Sequence, residues 1–193
     1  MTIGRPATAF TRPADGDQVS RDGYRGRWVR DTPLNFEATP MPITIGQPAP
    51  AFTMPTDDGE VSLDDYRGKR LVLYFYPKDD TSGCTSEAKA FSDDFHRFGT
   101  HNAEILGVSR DSPASHAKFR AKHALPFPLA SDTEGTVCEA YEVWKQKSMY
   151  GRTYMGIERT TVLIDEAGIV RKMWSKVKVS GHSGAVLLAL DEL

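Results

Sequence analysis

Apolar residues along the chain fall into short blocks whose spacing alternates between that of strands and that of helices. Residues 71–76 form an unbroken apolar, aromatic-rich run that stops at Pro77, the pattern of a central strand covered on both faces. Ahead of it, segments containing Phe52 and Val61 flank the turn signal Asp57-Asp58-Gly59-Glu60 and predict a small hairpin. Behind it, a loop over 78–83 leads into 84–98, where Ala88, Phe91, Phe95 and Phe98 recur at helical spacing. Residues 104–108 predict a second strand, and Asp111-Ser112 before Pro113 marks a second helix start. Residues 125–129 read as a short extended segment and 136–144 as a further helix. Strands over 160–164 and 169–174 flank Asp165-Glu166-Ala167-Gly168, and 186–190 fits a terminal helix. Strands alternating with helices, then a hairpin and a helix, predict an α/β domain with a central mixed β-sheet flanked by helices.

The beginning of this pattern occurs twice. Shifting the chain by 42 residues aligns Thr2-Ile3-Gly4 with Thr44-Ile45-Gly46 and Tyr24-Arg25-Gly26 with Tyr66-Arg67-Gly68, and 16 of 28 residues from position 2 to 29 are identical to their partners. The first copy carries Arg12 and Arg21 where the second has apolar Met54 and Leu63, and it runs into Arg30-Asp31-Thr32-Pro33 instead of a strand. Residues 1–43 therefore read as a degraded, flexible duplicate followed by a proline-containing linker, and 44–193 as the functional domain. The alternative is that the extra copy replaces its counterpart in a neighbouring chain by domain swapping.

Composition narrows the function classes. With 24 Lys and Arg against 26 Asp and Glu, a net charge of -2 supplies no electrostatic footing for a nucleic-acid or acidic-membrane partner. No apolar run approaches the roughly 18 residues of a bilayer span. The first residues lack a charged stretch followed by an apolar core, so a conventional signal peptide is not expected and the expected compartment is the cytoplasm. Two cysteines, Cys84 and Cys138, are too few for a disulfide scaffold or a four-cysteine zinc site. The five histidines, His96, His101, His116, His123 and His182, are scattered without a ligand pattern and are expected at the surface or locally bonded. Asp79-Asp80 reads as a pair of loop acids facing solvent.

Cys84 stands where a loop enters a helix. Free amides and the positive dipole end favour a thiolate there, and such placements lower a cysteine pKa from about 8.5 to roughly 3.5–7.5. Thr81 can direct a hydroxyl toward the sulfur or a bound oxygen, and Gly83 permits close approach of the backbone to a ligand. Free cysteines equally serve as small buried hydrophobes, so position alone leaves packing and chemistry level.

The wider sequence decides between them. The stretch Tyr74-Phe75-Tyr76-Pro77-Lys78-Asp79-Asp80-Thr81-Ser82-Gly83-Cys84-Thr85-Ser86-Glu87-Ala88 closely resembles the active-site segment of peroxiredoxins of the bacterioferritin comigratory protein, or peroxiredoxin Q, family. The resemblance continues through Pro48-Ala49-Pro50-Ala51-Phe52, Gly107-Val108-Ser109, Ser115-His116, Leu129-Ala130-Ser131-Asp132, Tyr150-Gly151, Gly156-Ile157-Glu158-Arg159-Thr160-Thr161 and Val177-Lys178-Val179-Ser180-Gly181-His182. It covers essentially 44–193 in order and implies a thioredoxin-like fold. It implies Cys84 as the peroxidatic cysteine, Pro77 shaping the loop, Thr81 binding peroxide, Arg159 completing the pocket and Glu87 orienting the arginine. It further implies a thiol peroxidase acting on hydrogen peroxide and organic hydroperoxides without metal, haem or flavin.

The chain departs from the family in its second sulfur. The resolving position five residues after the peroxidatic cysteine holds Lys89, and that in the helix after Ser115-His116 falls at Arg120. Cys138 remains, disfavoured as a resolving thiol because its neighbours suggest a packed helix. The leading expectation is a one-cysteine cycle recycled by a low-molecular-weight thiol or a thioredoxin-like protein, in a monomer or weak homodimer. The competing class is a non-enzymatic redox-sensing interaction protein switched by Cys84 oxidation. Trp144, Tyr150 and Tyr154 are candidates for a groove, with core packing the stronger reading for Trp144. A chain beginning at Met41 is expected to keep the activity, stability and oligomer size of the full chain; a changed size on gel filtration would instead point to swapping.

Overall fold

The computed structural model describes residues 43–149 and 151–193. Apart from Ile43, the duplicate and linker at 1–43 lie outside the described residues, as does Tyr150. The predicted entrance hairpin forms from β1 (Thr53–Pro55) and β2 (Glu60–Ser62), paired antiparallel, and a 3-10 turn (Leu63–Tyr66) follows. The central strand is β3 (Arg70–Phe75), followed by α1 (Ser82–Asp93), α2 (Phe95–Thr100) and β4 (Ala103–Ser109). Then come α3 (Pro113–His123), β5 (Leu129–Ser131) and α4 (Thr136–Ala140). A ribbon of β6 (Trp144–Met149) and β7 (Arg152–Ile157), the strands β8 (Thr160–Ile164) and β9 (Val170–Trp174), and α5 (His182–Asp191) complete the domain. The main sheet has the order β5-β4-β3-β8-β9, parallel on the β5 side and antiparallel on the β9 side.

Period-two alternation in β3 divides the core. Leu71, Leu73 and Phe75 join Phe52, Met54, Cys138 and Tyr141 on one face, whereas Val72, Tyr74 and Tyr76 join Cys84, Phe91, Phe98, Phe119 and Val186 on the other. A buried sheet with both faces covered explains why its middle strand is apolar without interruption. Gly107 in β4 is needed for this packing, because a Cβ there would sit 2.7 Å from the Tyr74 ring and 2.6 Å from Leu129.

Three predicted elements need correction, and one further pair of strands goes unpredicted. The single helix over 84–98 is broken at Asp94, whose φ of -90° and ψ of 1° turn the chain so that Phe98 meets Phe91 at a centroid distance of 5.8 Å. The extended segment at 125–129 is shifted toward Leu129–Ser131, since Pro126 and Pro128 have no N–H to give to a ladder. The helix over 136–144 stops at Ala140. Glu142 adopts φ 55° and the Val143 amide closes back on the Cys138 carbonyl at 2.9 Å, which sends Trp144 into a strand. The β6–β7 ribbon was not expected at all, because its exposed, largely polar residues produce neither an apolar run nor a clean alternation.

Candidate active site

The parallel β3–β4 and antiparallel β3–β8 pairings fix where the chemistry-bearing residues meet. Phe75 at the end of β3 pairs with Thr160 at the start of β8, so the residue just before β8, Arg159, arrives beside the loop that leaves β3. That loop leads to α1, where Cys84 lies in the first turn and Glu87 one turn further along the same face. Residues 75 positions apart in sequence thereby come into contact: Arg159 Nη2 donates to Cys84 Sγ at 3.3 Å. Its other terminal nitrogen, Nη1, donates to Glu87 Oε2.

Two of the three members of this cluster are nearly sealed from water, while the Arg159 side chain stays partly exposed. Cys84 is 2% exposed and Glu87 1%. Burial pushes the Glu87 carboxyl up to about 7 although Arg159 pulls it down. Burial also works against the Arg159 charge, yet the neighbouring Glu87 and Cys84 carry its pKa above the ordinary value, so the guanidinium stays cationic. The Tyr74 hydroxyl and Glu87 Oε1 are buried without a hydrogen-bond partner. Burial, with the nearby Glu87 and Cys84 charges, raises the Tyr74 pKa well above its usual value and keeps the hydroxyl neutral. Gly83 leaves room for the arginine: a Cβ there would stand 3.2 Å from Arg159 Nη2.

Pro77 is exposed at the start of the loop, and Thr81 is exposed at the N-cap position of α1. The Thr81 hydroxyl donates to the Lys78 carbonyl at 3.1 Å, which leaves its oxygen lone pairs as acceptors for an incoming O–H. Asp80 is exposed, but Asp79 is buried, so the expectation that both acids face solvent fails for Asp79. Tyr76 Oη donates to Asp79 Oδ1 at 2.7 Å, Ser115 Oγ donates to Oδ2 at 2.7 Å, and His116 Nδ1 lies 2.9 Å from Oδ2. The cost of burying the carboxyl works to raise the Asp79 pKa, but these partners outweigh it and hold the value below the usual carboxylate range.

Two further residues near the cluster escaped sequence reasoning. His182 is buried, 2.7 Å from Thr161 Oγ1 and edge-on to Phe91 and Trp174; burial, helped by Arg159, pulls it down to about 4. Its only sequence signal was its place in the Ser180-Gly181-His182 motif. Lys147 on β6 is half-buried and gives its ammonium to the Ile157 carbonyl; burial lowers its pKa, with Arg159 acting in the same direction.

Cys138 lies apart. It is fully buried on the opposite face of the main sheet from Cys84, its amide donates to Asp132 Oδ2 at 2.7 Å, and burial pushes its thiol far above the ordinary range. Lys89 is exposed on α1, and Arg120 pairs with Asp57 at 2.5 Å. Trp144 packs half-buried against the core edge, beneath Arg110 at 4.7 Å, while Tyr154 is exposed.

The buried carboxyl gives a pH signature. Because the folded-state value of about 7 exceeds the ordinary 4.5, Glu87 favours the folded state below pH 4.5 and loses that contribution as pH climbs through 7. His182, shifted downward, acts in the opposite sense as pH falls toward 4, so the comparison with Glu87→Gln isolates the acid. Urea unfolding is expected to show the stability of wild type relative to Glu87→Gln falling by up to about 3 kcal/mol between pH 4.5 and 7, and a constant difference would contradict the assignment.

The family model described as AhpC/TSA matches residues 45–173. A putative peroxiredoxin bcp of Coxiella burnetii is 52% identical over 119 residues, 62% of this chain and 79% of the relative. Peroxiredoxin Bcp of Bacillus subtilis is 51% identical over 125 residues, 65% of this chain and 80% of the relative. Among solved structures, a Xanthomonas campestris peroxiredoxin Q superposes with a TM-score of 0.70 at 46% identity, covering 73% of this chain and 90% of that one. A structure of the X. campestris bacterioferritin comigratory protein, described in terms of alkyl peroxide reduction activity, matches with a TM-score of 0.70 at 45% identity over the same shares, 73% and 90%. The sheet order and flanking helices are thus those of the expected thioredoxin-like fold. With the family match, this identity and the shared architecture all converging on one group, the chain belongs to the AhpC/TSA family and, within it, to the bacterioferritin comigratory protein or peroxiredoxin Q peroxiredoxins.

Proposed function

We propose that this peroxiredoxin reduces hydrogen peroxide and organic hydroperoxides through a sulfenic acid on Cys84 and is recycled by an external thiol in a one-cysteine cycle. The observation that carries this reading is the contact of Arg159 with Cys84 on one side and Glu87 on the other. The Cys84 sulfur attacks one peroxide oxygen as the thiolate; an S–O bond forms, the O–O bond breaks, and its electron pair leaves on the second oxygen. Arg159 Nη2, aimed at the sulfur, is placed to stabilise that developing charge, and the thiol's proton ends on the departing oxygen as water or an alcohol. The exposed Thr81 oxygen is the acceptor for the peroxide O–H, and Pro77 shapes the loop that presents it. Glu87 holds the guanidinium fork in place, a role a lysine could not share in the same way.

Recycling is assigned to an outside thiol because the second sulfur is on the far side of the sheet. Bridging two cysteines needs their Cα atoms within about 7 Å, which the intervening β3 and β4 layer prevents while the domain is folded. An external thiol attacks the sulfenic acid, releasing water and leaving a mixed disulfide; a second thiol then frees Cys84. The similarity to a protein described for alkyl peroxide reduction supports organic hydroperoxides as substrates.

Intact-mass analysis after one equivalent of hydrogen peroxide separates the cycles. A one-oxygen adduct is expected in wild type and Cys138→Ser and not in Cys84→Ser, with repeated peroxide consumption once dithiothreitol is present. Loss of two hydrogens requiring both cysteines would overturn the one-cysteine cycle. A single stoichiometric oxidation without recovery would favour the redox-sensing role.

A further inference from the structure

Cys84 is 2% exposed and in contact with Arg159, so an external thiol has no in-line approach to a sulfenic acid held there. The loop over 77–83 and the first turn of α1 must come away from the sheet before recycling. Tyr76 Oη donates to Asp79 from the end of the central strand, but most of the side chains that fasten that loop come from one helix, α3. The first turns of α3 grip Asp79 through Ser115 Oγ at 2.7 Å and His116 Nδ1 at 2.9 Å, and the Asp79 amide donates to Asp111 Oδ2 at 2.8 Å just ahead of the helix. The last turn of α3 grips the next acid: Lys122 Nζ lies 2.5 Å from Asp80 Oδ2 and His123 Nε2 3.1 Å from Oδ1. Asp80 takes a left-handed conformation, φ 57°, which Asp tolerates better than most non-glycine residues and which turns its carboxylate toward the last turn of α3.

The helix itself is anchored elsewhere. Arg120 pairs with Asp57 of the entrance turn at 2.5 Å, His116 Nε2 sits 3.2 Å from the Ala130 carbonyl on β5, and Phe119 packs against Tyr76. Arg120 stands at one of the two positions where the family resemblance implies a resolving cysteine, so α3 offers no thiol there and is pinned to its neighbours at that point.

We propose that α3 is the latch of the peroxidatic loop: Asp79 with His116 as its buried half and Asp80 with Lys122 and His123 as its exposed half are positioning residues that set how often the oxidised site opens to an external thiol. The inference rests on the one-cysteine reading above. It makes the two half-reactions respond in opposite ways. Oxidation takes place in the closed form, which predominates, so a modest loosening leaves its rate unchanged. Reduction takes place through the minor open form, and its rate scales with that population.

The test uses the full chain, hydrogen peroxide and dithiothreitol, following oxidation and then recycling of Cys84 separately by rapid quench and intact mass. Asp80 and Lys122 are about half exposed, 49% and 59%, and exposed pairs of this kind shift such an equilibrium by about two- to fivefold. Asp80→Asn and Lys122→Gln are therefore expected to oxidise at the wild-type rate and to recycle about two- to fivefold faster. Asp79→Asn, which breaks the buried half, is expected to recycle faster still and to oxidise more slowly. A contact that merely supports the fold would leave both half-reactions unchanged or slow both. Wild-type recycling rates in Asp80→Asn and Lys122→Gln overturn the latch, and these two surface variants decide the matter even if Asp79→Asn fails to fold. Absence of the one-oxygen adduct on Cys84 in wild type would instead sink the one-cysteine reading, so the two failures are distinguishable.

Discussion

The site depends on one guanidinium divided between two partners. Arg159 gives one terminal nitrogen to the Cys84 sulfur and the other to the Glu87 carboxylate, in a pocket where both partners are nearly sealed from water. A cation in such surroundings is costly unless it is paired, and a carboxylate there is costly unless something compensates it. Each therefore constrains the other, and the sulfur is held at the point where the remaining hydrogen-bonding capacity of the arginine is directed. The architecture is arranged to make this meeting happen: the register of β8 against β3 brings Arg159 to the end of the central strand, and one helical turn separates Cys84 from Glu87.

The same sheet that assembles the site isolates its sulfur. Alternation along β3 sends Tyr74 and Tyr76 toward Cys84 and Leu73 and Phe75 toward Cys138, so two cysteines in one small domain belong to two separate cores. The proposed chemistry at Cys84 is thereby separated from the chain's other cysteine, and under that proposal the reductant's access depends on release of the loop. Asp79, buried and held from three sides, ties that loop to α3 together with the exposed Asp80.

Much of this was legible in the sequence where physics is local. The unbroken apolar run of β3, the capping signal ahead of α3 and the turn between β8 and β9 all became the elements they predicted. Cys84 at a helix start was readable from the loop and the apolar spacing behind it, whereas the partnership of Arg159 and Glu87 was implied only by family resemblance, since no periodicity connects residues so far apart. What stayed hidden was tertiary. An acid such as Asp79 is buried because Tyr76, Ser115 and His116 converge on it from two elements, and nothing in the adjacent residues announces that. The β6–β7 ribbon was hidden for the opposite reason: it is stabilised by its own ladder and buries little, so it leaves almost no hydrophobic trace.

The most direct measurement of the central claim is the rate of Cys84 oxidation by hydrogen peroxide in Arg159→Lys compared with wild type, followed by stopped flow on folded protein. Lysine keeps the charge but cannot divide a planar fork between sulfur and carboxylate, and removal of one well-placed donor typically costs about 10²–10³ in rate. A fall of about a hundredfold or more is the predicted result. Oxidation of Arg159→Lys at the wild-type rate would contradict the account.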